Sequence, residues 1–94
     1  MNIYYNWDND KNKLLKNDRG ICFEEIVSCI EKGYLIDIIH HPNKNKYPNQ
    51  NILIVNVNNY AYLVPFVAEK GDTYFLKTII PSREATKKYI RGEK

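Results

Sequence analysis

The alternation of hydrophobic and polar positions divides the chain into eight predicted elements. Alternating apolar and polar residues predict strands, and apolar residues spaced three and four apart predict helices. The predicted order is β-α-α-β-β-β-β-α, over residues 2–7, 10–18, 21–32, 34–39, 51–57, 60–67, 73–80 and 83–91. No repeat, linker or low-complexity block interrupts this series, so we expect residues 1–94 to form a single domain.

Residues that start, stop or connect elements support these boundaries. Asp8 and Ser82 are good N-caps for the first and last helices, and Gly33 ends the second helix. Asn58-Asn59 is a two-residue turn of the kind that tolerates positive φ, so the flanking strands should form a hairpin. We expect an α+β fold: a small twisted antiparallel sheet with two N-terminal helices and a short C-terminal helix, all on one face of the sheet.

Composition and charge narrow the class of protein. A chain of 94 residues supports one modest core and excludes a two-domain enzyme with a deep cleft. The hydrophobic share of 44% and the charged share of 27% are those of a globular domain. The net charge is +3, and residues 82–94, with five Lys or Arg against two Asp or Glu, carry all of that excess. Such a basic end suits a polyanion or an acidic partner, and it is also typical of a solvated surface.

The chain shows few signs of a disulfide, a membrane segment or a bound metal. Cys22 and Cys29 lie too far apart to pair on one helix and are expected to be buried thiols. No apolar run is long enough to span a membrane and no signal peptide is visible, so we expect a cytoplasmic protein. Because His40 and His41 would face opposite ways on a strand, with no third ligand nearby, we expect no metal site. We also expect no other cofactor.

Two motifs, one near each end of the chain, resemble a known protein family. The N-terminal motif consists of Tyr5-Asn6-Trp7-Asp8, Lys11-Asn12, Arg19-Gly20-Ile21 and Phe23-Glu24-Glu25. The C-terminal motif is Ile79-Ile80-Pro81-Ser82-Arg83-Glu84-Ala85-Thr86. Both resemble the signatures of BrnT-type toxins, which open with aromatic-x-Trp-Asp and close with Ile-Ile-x-Ala-Arg-x-Ala-Thr. The predicted element order is also similar to that of the wider RelE/ParE-like superfamily.

The resemblance implies a type II toxin, a small ribonuclease that cuts RNA and inhibits translation. It also implies a cognate antitoxin, usually with a DNA-binding domain, that holds the toxin inactive in a hetero-oligomer. The chain departs from the family pattern at three places. Arg19 stands where a His commonly precedes Gly, Thr78 takes the place of a basic residue with Lys77 beside it, and the basic residue of the middle strand has no counterpart.

Cutting RNA without a metal requires a base for the 2′-hydroxyl, a cation for the phosphate and an acid for the leaving oxygen. Our candidate catalytic residues are His41, Arg83, Tyr47 and Lys77. Arg83 offers a planar fork for a phosphate at a helix start, and a histidine such as His41 can serve as base or acid. If the sheet twist brings the loop at His41 to Arg83, then Arg83 would bind the phosphate and His41 would exchange protons, with Tyr47 and Lys77 assisting.

The loop between the predicted strands 34–39 and 51–57 is the second feature that favours RNA. Two Pro-Asn pairs, each preceded by a side chain with a ring, predict an ordered loop rather than a disordered one. Long loops in small domains are commonly functional, and we expect this one to border the RNA groove. The side chains expected to bind RNA are His40, Lys44, Lys46, Lys87 and Lys88.

Each of these residues also has an ordinary structural explanation. The His pair is typical of a solvated loop start, Arg83 of a surface ion pair, and Lys77 of a polar strand face. For the whole protein, the alternative is a catalytically inactive member of the same fold that acts as a protein-binding or regulatory module. A third hypothesis is a sheet-surface RNA-binding protein without cleavage, although no known RNA-binding signature is present.

Overall fold

The computed structural model describes residues 3–92. Its elements are β1 (Tyr4–Trp7), α1 (Asn9–Arg19), α2 (Phe23–Glu31), β2 (Leu35–His40), β3 (Gln50–Val57), β4 (Tyr60–Glu69), β5 (Thr73–Leu76), β6 (Ile80–Pro81), α3 (Arg83–Ala85) and a π-helical turn (Thr86–Ile90). We refer to α3 and the π-helical turn together as the C-terminal helix. The predicted start of the first strand at Asn2, and the last two residues of the predicted domain, lie outside the described residues.

The strands form one sheet in the order β1-β5-β4-β3-β2, with β6 also pairing with β4. The class is α+β, as predicted. The neighbours among β2 to β6 are antiparallel, but β1 lies parallel to β5, with Trp7 opposite Leu76. The prediction of an antiparallel sheet is therefore wrong for β1, and the sheet is mixed. No hairpin connects β1 to β5, so no turn sets their relative direction.

The last predicted strand, 73–80, is broken in two by a proline on its neighbour. Pro65 lies inside β4 and has no N–H to donate toward the last strand. Its carbonyl oxygen still accepts from the Lys77 N–H at 2.8 Å. Beyond that bond the pairing slips by one residue, from Phe66 opposite Leu76 to Leu63 opposite Ile80. The chain between β5 and β6 is thus a bulge imposed by Pro65.

The two N-terminal helices cover one face of the sheet, which we call the helical face. Phe23 and Ile26 of α2 are fully buried there, and Leu15 of α1 joins them. They pack against strand residues of the same cluster, among them Leu53 and Val64. Phe23 and Ile26 are three residues apart, the spacing from which a helix with one apolar face is predicted.

The C-terminal helix packs on the opposite face, which we call the second face. Ala85 is buried there against Ile54 and Ala61. The expectation that all helices share one face is therefore wrong. The cause is local: Pro81 ends β6, and the chain turns over β4 as the Ser82 N–H donates to the Ala61 carbonyl at 3.0 Å. The strand residues that alternate with those of the helical face point to the second face, and several of them are apolar. The C-terminal helix covers part of this apolar surface.

The hairpin between β3 and β4 forms as predicted. Asn58 and Asn59 adopt φ of 53° and 65°, the conformation that a two-residue turn between twisted strands requires. The pairing then runs without a break from Val57 opposite Tyr60 to Gln50 opposite Val67. This long uninterrupted ladder determines which side chains stand side by side on the second face.

Candidate functional site

The N-terminal motif forms the joint between β1, α1 and α2. The Trp7 ring stacks on Phe23 with 5.5 Å between ring centroids, and the Asp8 side chain accepts two backbone N–H groups at the start of α1. Asn12 connects the helices: its Oδ1 accepts from the Phe23 N–H at 2.7 Å, and its Nδ2 donates to Glu24 Oε1 at 2.7 Å. That hydrogen bond lowers the pKa of Glu24. These motif residues therefore have structural roles.

The two motifs meet in the structure. Arg19, at the end of α1, donates from Nη1 to the carbonyl oxygen of Ile79 at 2.6 Å. Ile79 lies in the bulge between β5 and β6 and is fully buried. Because the bulge interrupts pairing with β4, its backbone groups need partners from outside the sheet, and Arg19 is one of them. Residues 60 positions apart in the chain are thus joined at this contact.

The loop at residues 41–49 is ordered, and its two ring side chains lie together. Asn43 organises it: its side chain accepts from the Lys46 N–H at 3.1 Å, and its carbonyl accepts from the Tyr47 N–H at 2.9 Å. The rings of His41 and Tyr47 are 4.4 Å apart between centroids. Lys46 places its Nζ 5.4 Å from the Tyr47 centroid, and Lys44 is exposed. The prediction of an ordered loop is confirmed.

One hydrogen bond restricts what His41 can do chemically. Its Nδ1 accepts from the backbone N–H of Asn43 at 3.1 Å. In the neutral ring the proton must then sit on Nε2. To accept a proton at Nε2, the neutral ring would first have to carry its own proton on Nδ1. That proton would point at the Asn43 N–H and would break this hydrogen bond. While this bond holds, His41 is suited to donating a hydrogen bond from Nε2, for example to a phosphate oxygen, and not to the predicted proton exchange.

Five side chains form a row across the second face at the end of the sheet where the loop lies. The His41 N–H donates to the Gln50 carbonyl at 3.2 Å, so the ladder of β2 and β3 continues to this pair. Gln50 stands opposite Val67, Val67 opposite Phe75, and Phe75 beside Asn6. Residues directly opposite each other share a face. We call His41, Gln50, Val67, Phe75 and Asn6 the rim row.

Lys77 stands next to the rim row on the same face. Its Nζ lies 5.3 Å from the centroid of the Phe75 ring. Its N–H bonds to Pro65, which lies opposite Ile52 in the next row toward the C-terminal helix. His41 and Phe75 are three strand spacings apart, which is about 14 Å at about 4.8 Å per spacing. The rim row and Lys77 therefore form one continuous surface.

Arg83 is not part of this surface. Its helix starts where Ser82 bonds to Ala61, and Ala61 lies opposite Asn56. Asn56 is six positions along β3 from Gln50, which is about 20 Å along a strand. Arg83 and His41 thus lie at opposite ends of the sheet, and the expected meeting of these two residues does not occur. The strand twist that we invoked cannot close that distance.

The remaining predicted residues lie outside the rim row. Lys87 and Lys88 are exposed on the C-terminal helix, whose Tyr89 hydroxyl reaches Asp37 of β2 at 3.4 Å. His40 belongs to the helical face, because it lies opposite Asn51, and its Nδ1 is 3.0 Å from Asn51 Oδ1. The nine predicted site residues therefore fall into three places: the loop with Lys77 near the rim row, the C-terminal helix, and the helical face.

Four rim-row residues could not be recognised as site residues from the sequence: Gln50, Val67, Phe75 and Asn6. Each is an ordinary outward position of an alternating strand, and only the strand order places them side by side. β1 and β5 are separated by most of the chain, so their adjacency carries no local signal. The one available clue was Phe75, an aromatic residue on the outward face of a strand, two positions before Lys77.

Other reactive groups in residues 3–92 give no competing site. No three His, Cys, Asp or Glu side chains of these residues gather closely enough to hold a metal. Cys22 and Cys29 are free and half-buried rather than fully buried. Burial raises the pKa of the Cys22 thiol. Among the described helices, none has the length and hydropathy needed to span a bilayer.

Comparisons of the chain with protein-family models, with curated proteins and with solved structures returned no match. Functional inference therefore depends on the two motifs and on the geometry of this chain alone.

Proposed function

We propose that this protein is a BrnT-like ribonuclease toxin of a type II toxin–antitoxin system, with a RelE-like fold. It would cleave RNA without a metal, inhibit translation in the cytoplasm, and be neutralised by a cognate antitoxin in a hetero-oligomer. The observation that carries the proposal is the hydrogen bond from Arg19 to Ile79. It joins the two sequence motifs on which the family resemblance depends, as expected if they belong to one structural signature.

The rim row is the best candidate for the RNA site. His41 offers a hydrogen-bond donor at Nε2, Lys77 offers a cation on the same face, and Tyr47 offers a hydroxyl beside His41. A donor and a cation that stabilise the charge on the phosphate during cleavage account for much of the catalysis in such sites. Arg83, about 20 Å away along the strands, would contact a different part of the RNA or the antitoxin.

The antitoxin is proposed to be acidic where it meets the C-terminal helix. Lys87 and Lys88 are exposed there, and the end of the chain carries the net positive charge. An acidic segment, disordered before binding, would be attracted to this surface and would order on it. A short neighbouring reading frame that encodes a DNA-binding protein would agree with this arrangement, and an isolated gene would disagree.

One observation favours a second candidate function, a catalytically inactive member of the same fold that acts as a protein-binding or regulatory module. The Nδ1 of His41 is occupied by Asn43, so the rim row lacks an imidazole free to accept the 2′-hydroxyl proton. A protein that kept the fold without a base would bind a partner and cleave nothing.

Controlled expression of the chain alone separates the two functions. A ribonuclease toxin should arrest growth and fragment cellular RNA, and the purified protein should cleave RNA in a metal chelator. His41→Ala and Lys77→Ala should each reduce cleavage by about 10²-fold, the usual effect of removing one stabilising donor. Arg83→Ala should reduce it much less, and circular dichroism checks that all three variants fold. Normal growth and intact RNA, with folded protein accumulating, would leave the binding module as the better explanation.

A further inference from the structure

The rim row has the layout of a binding strip as well as of a reaction site. It carries two rings with a lysine beside each, one at the His41 end and one at Phe75, next to Asn6 at the other end. At one end, Tyr47 lies against His41 with Lys46 5.4 Å from the Tyr47 centroid. At the other end, Lys77 lies 5.3 Å from the Phe75 centroid. Between the rings stand the amide side chain of Gln50 and the apolar Val67, both half-buried.

Each of these groups matches one part of a single-stranded nucleic acid. Bases stack on aromatic rings, and this stacking tolerates any base because every base has a π-face. Lys46 lies over the Tyr47 ring and Lys77 over the Phe75 ring, so each lysine would leave the ring face to the base and contact the phosphate of the stacked nucleotide. An amide between the two rings offers both a donor and an acceptor to a base edge.

The spacing of the two rings fits a short strand that crosses the sheet. Phe75 lies three strand spacings, about 14 Å, from His41, the residue against which the Tyr47 ring packs. At the roughly 3.4 Å axial rise of a stacked strand, this is about four nucleotides. A double helix would not fit as well, because its bases are paired and cannot stack on rings at the surface of the sheet.

The exposed lysines call for an anionic occupant, and the two rings with the amide between them favour RNA over an acidic protein segment. Lys44, Lys46 and Lys77 are all exposed around the strip. The nearest carboxylate on the same face of β4 is Glu69, two residues beyond Val67 and opposite Thr73. Acidic peptides also bind lysines, but they gain nothing from two separated rings with an amide between them.

We propose that the rim row is a track for single-stranded RNA, with bases stacked on Phe75 and Tyr47, phosphates on Lys77 and Lys46, and a base edge read by Gln50. The proposal rests on the proposed ribonuclease function for its choice of RNA. It adds Phe75 and Gln50 as residues that determine which RNA segment is held, and it sets the length of that segment at about four nucleotides.

Binding is measured with fluorescein-labelled 2′-O-methyl RNA, which has no free 2′-hydroxyl and so cannot be cleaved by this route. Fluorescence anisotropy with probes of two to eight nucleotides should show affinity rising up to about four nucleotides and then levelling. Phe75→Leu keeps an apolar side chain without a ring, and it should weaken binding at least about fivefold. Tyr34→Leu is the matched control: Tyr34 is an exposed ring near the hairpin turn, away from the strip, and its loss should leave affinity within about twofold.

Substitutions of Lys77 and Gln50 should change two different properties of RNA binding, the salt dependence and the base preference. Lys77→Gln should reduce the dependence of log affinity on log salt by about 0.7, the value for one phosphate contact to a single strand. The control Lys32→Gln, at the cleft of about 390 Å³ that contains Tyr34, should leave that dependence unchanged. Gln50→Ala should change the relative affinities for four homopolymer probes, of A, C, G and U, and should leave the salt dependence of binding unchanged.

A measurement on the wild-type protein avoids any variant that fails to fold. The backbone NMR signals of Gln50, Val67 and Phe75 should shift when the probe is added, and those of Asn58 and Asn59 should not. The track is wrong if the probe does not bind, if Phe75→Leu binds as tightly as wild type, or if Tyr34→Leu weakens binding equally. Cleavage of unmodified RNA is scored separately. Cleavage without dependence on Phe75 overturns only the track, and binding that depends on Phe75 without cleavage overturns only the ribonuclease.

Discussion

Removing the hydroxyl of Thr86 should weaken the attachment of the C-terminal helix to the sheet and lower the stability of the protein measurably. Thr86 is 1% exposed. Its Oγ1 accepts from the Ala61 N–H at 2.9 Å and donates to the Ser82 carbonyl at 2.7 Å. The N–H and carbonyl of Ala61 point away from β3, toward the side of β4 on which β6 lies. Because β6 ends at Pro81, it provides no acceptor for the Ala61 N–H, and the Thr86 hydroxyl accepts that N–H instead. Thr86 thus substitutes for a missing strand partner.

The expected effect of Thr86→Val follows from these two bonds. Valine has nearly the same shape, so little packing is lost. The buried Ala61 N–H loses its only acceptor in the described structure, which costs about 1–3 kcal/mol. The Ser82 carbonyl still accepts from the Thr86 N–H at 3.1 Å, so its loss is small. The additional buried methyl group returns up to about 0.8 kcal/mol. The net loss should be about 1–2 kcal/mol.

Urea denaturation of the two proteins measures this difference, and for a domain of this size it corresponds to a fall in Tm of about 4–15 °C. Thr73→Val is the control, because Thr73 is half-buried in β5 and its substitution should change stability by no more than about 0.5 kcal/mol. Hydrogen exchange at the Ala61 amide should also become faster in Thr86→Val. A variant as stable as wild type, or a control that loses as much, would refute the argument that Thr86 replaces a strand partner.

Three further predictions concern the helices. Asn12→Ala should destabilise the protein by about 1–2 kcal/mol in urea, because the Phe23 N–H and Glu24 lose their shared partner; an unchanged midpoint would contradict that role. The hydrogen bond from Asn12 lowers the pKa of Glu24 below its ordinary value of 4.5. The ionised carboxylate therefore stabilises the fold at pH values above 4.5, and this stabilisation is lost as the pH falls through the lowered pKa. Glu24→Gln should therefore melt slightly below wild type at pH 7 and equal to it near pH 3, and a difference independent of pH would exclude the charge as its cause. Lys87→Glu with Lys88→Glu should slow antitoxin association and flatten its salt dependence in stopped-flow measurements, and unchanged kinetics at all salt concentrations would remove the proposed docking surface.

The sequence predicts the elements of this fold better than it predicts their arrangement. Helices and hairpin turns are encoded by neighbouring residues, so Asp8, Gly33 and Asn58-Asn59 were informative on their own. The break after β5 depends on Pro65 in the adjacent strand, and the effect of a proline on its neighbour can be seen only once the pairing is known. β1 pairs in parallel with β5 across most of the chain, and no local pattern records that pairing.

The candidate site shows the same division. The ordered loop was predictable because its prolines and asparagines act on their own segment. The separation of His41 from Arg83 was not predictable, because it depends on the register of the strands and on the face onto which the chain turns at Pro81. Once the register is known, alternation alone assigns His41, Gln50, Val67 and Phe75 to one row.

The motifs that suggest a family and the residues that would perform its chemistry are largely different residues in this chain. Trp7, Asn12 and Arg19 join elements, and Thr86 docks the C-terminal helix. A resemblance in such positions is a resemblance in how the chain folds. It would persist in a relative that had lost activity, because selection for stability alone retains these contacts. The rim row lies outside the C-terminal motif and shares only Asn6 with the N-terminal one. Variants of the joining residues should therefore lower stability and leave the activity of each folded molecule unchanged, whereas variants of the rim row should do the reverse. This separation makes activity per folded molecule the quantity that decides between toxin and binding module.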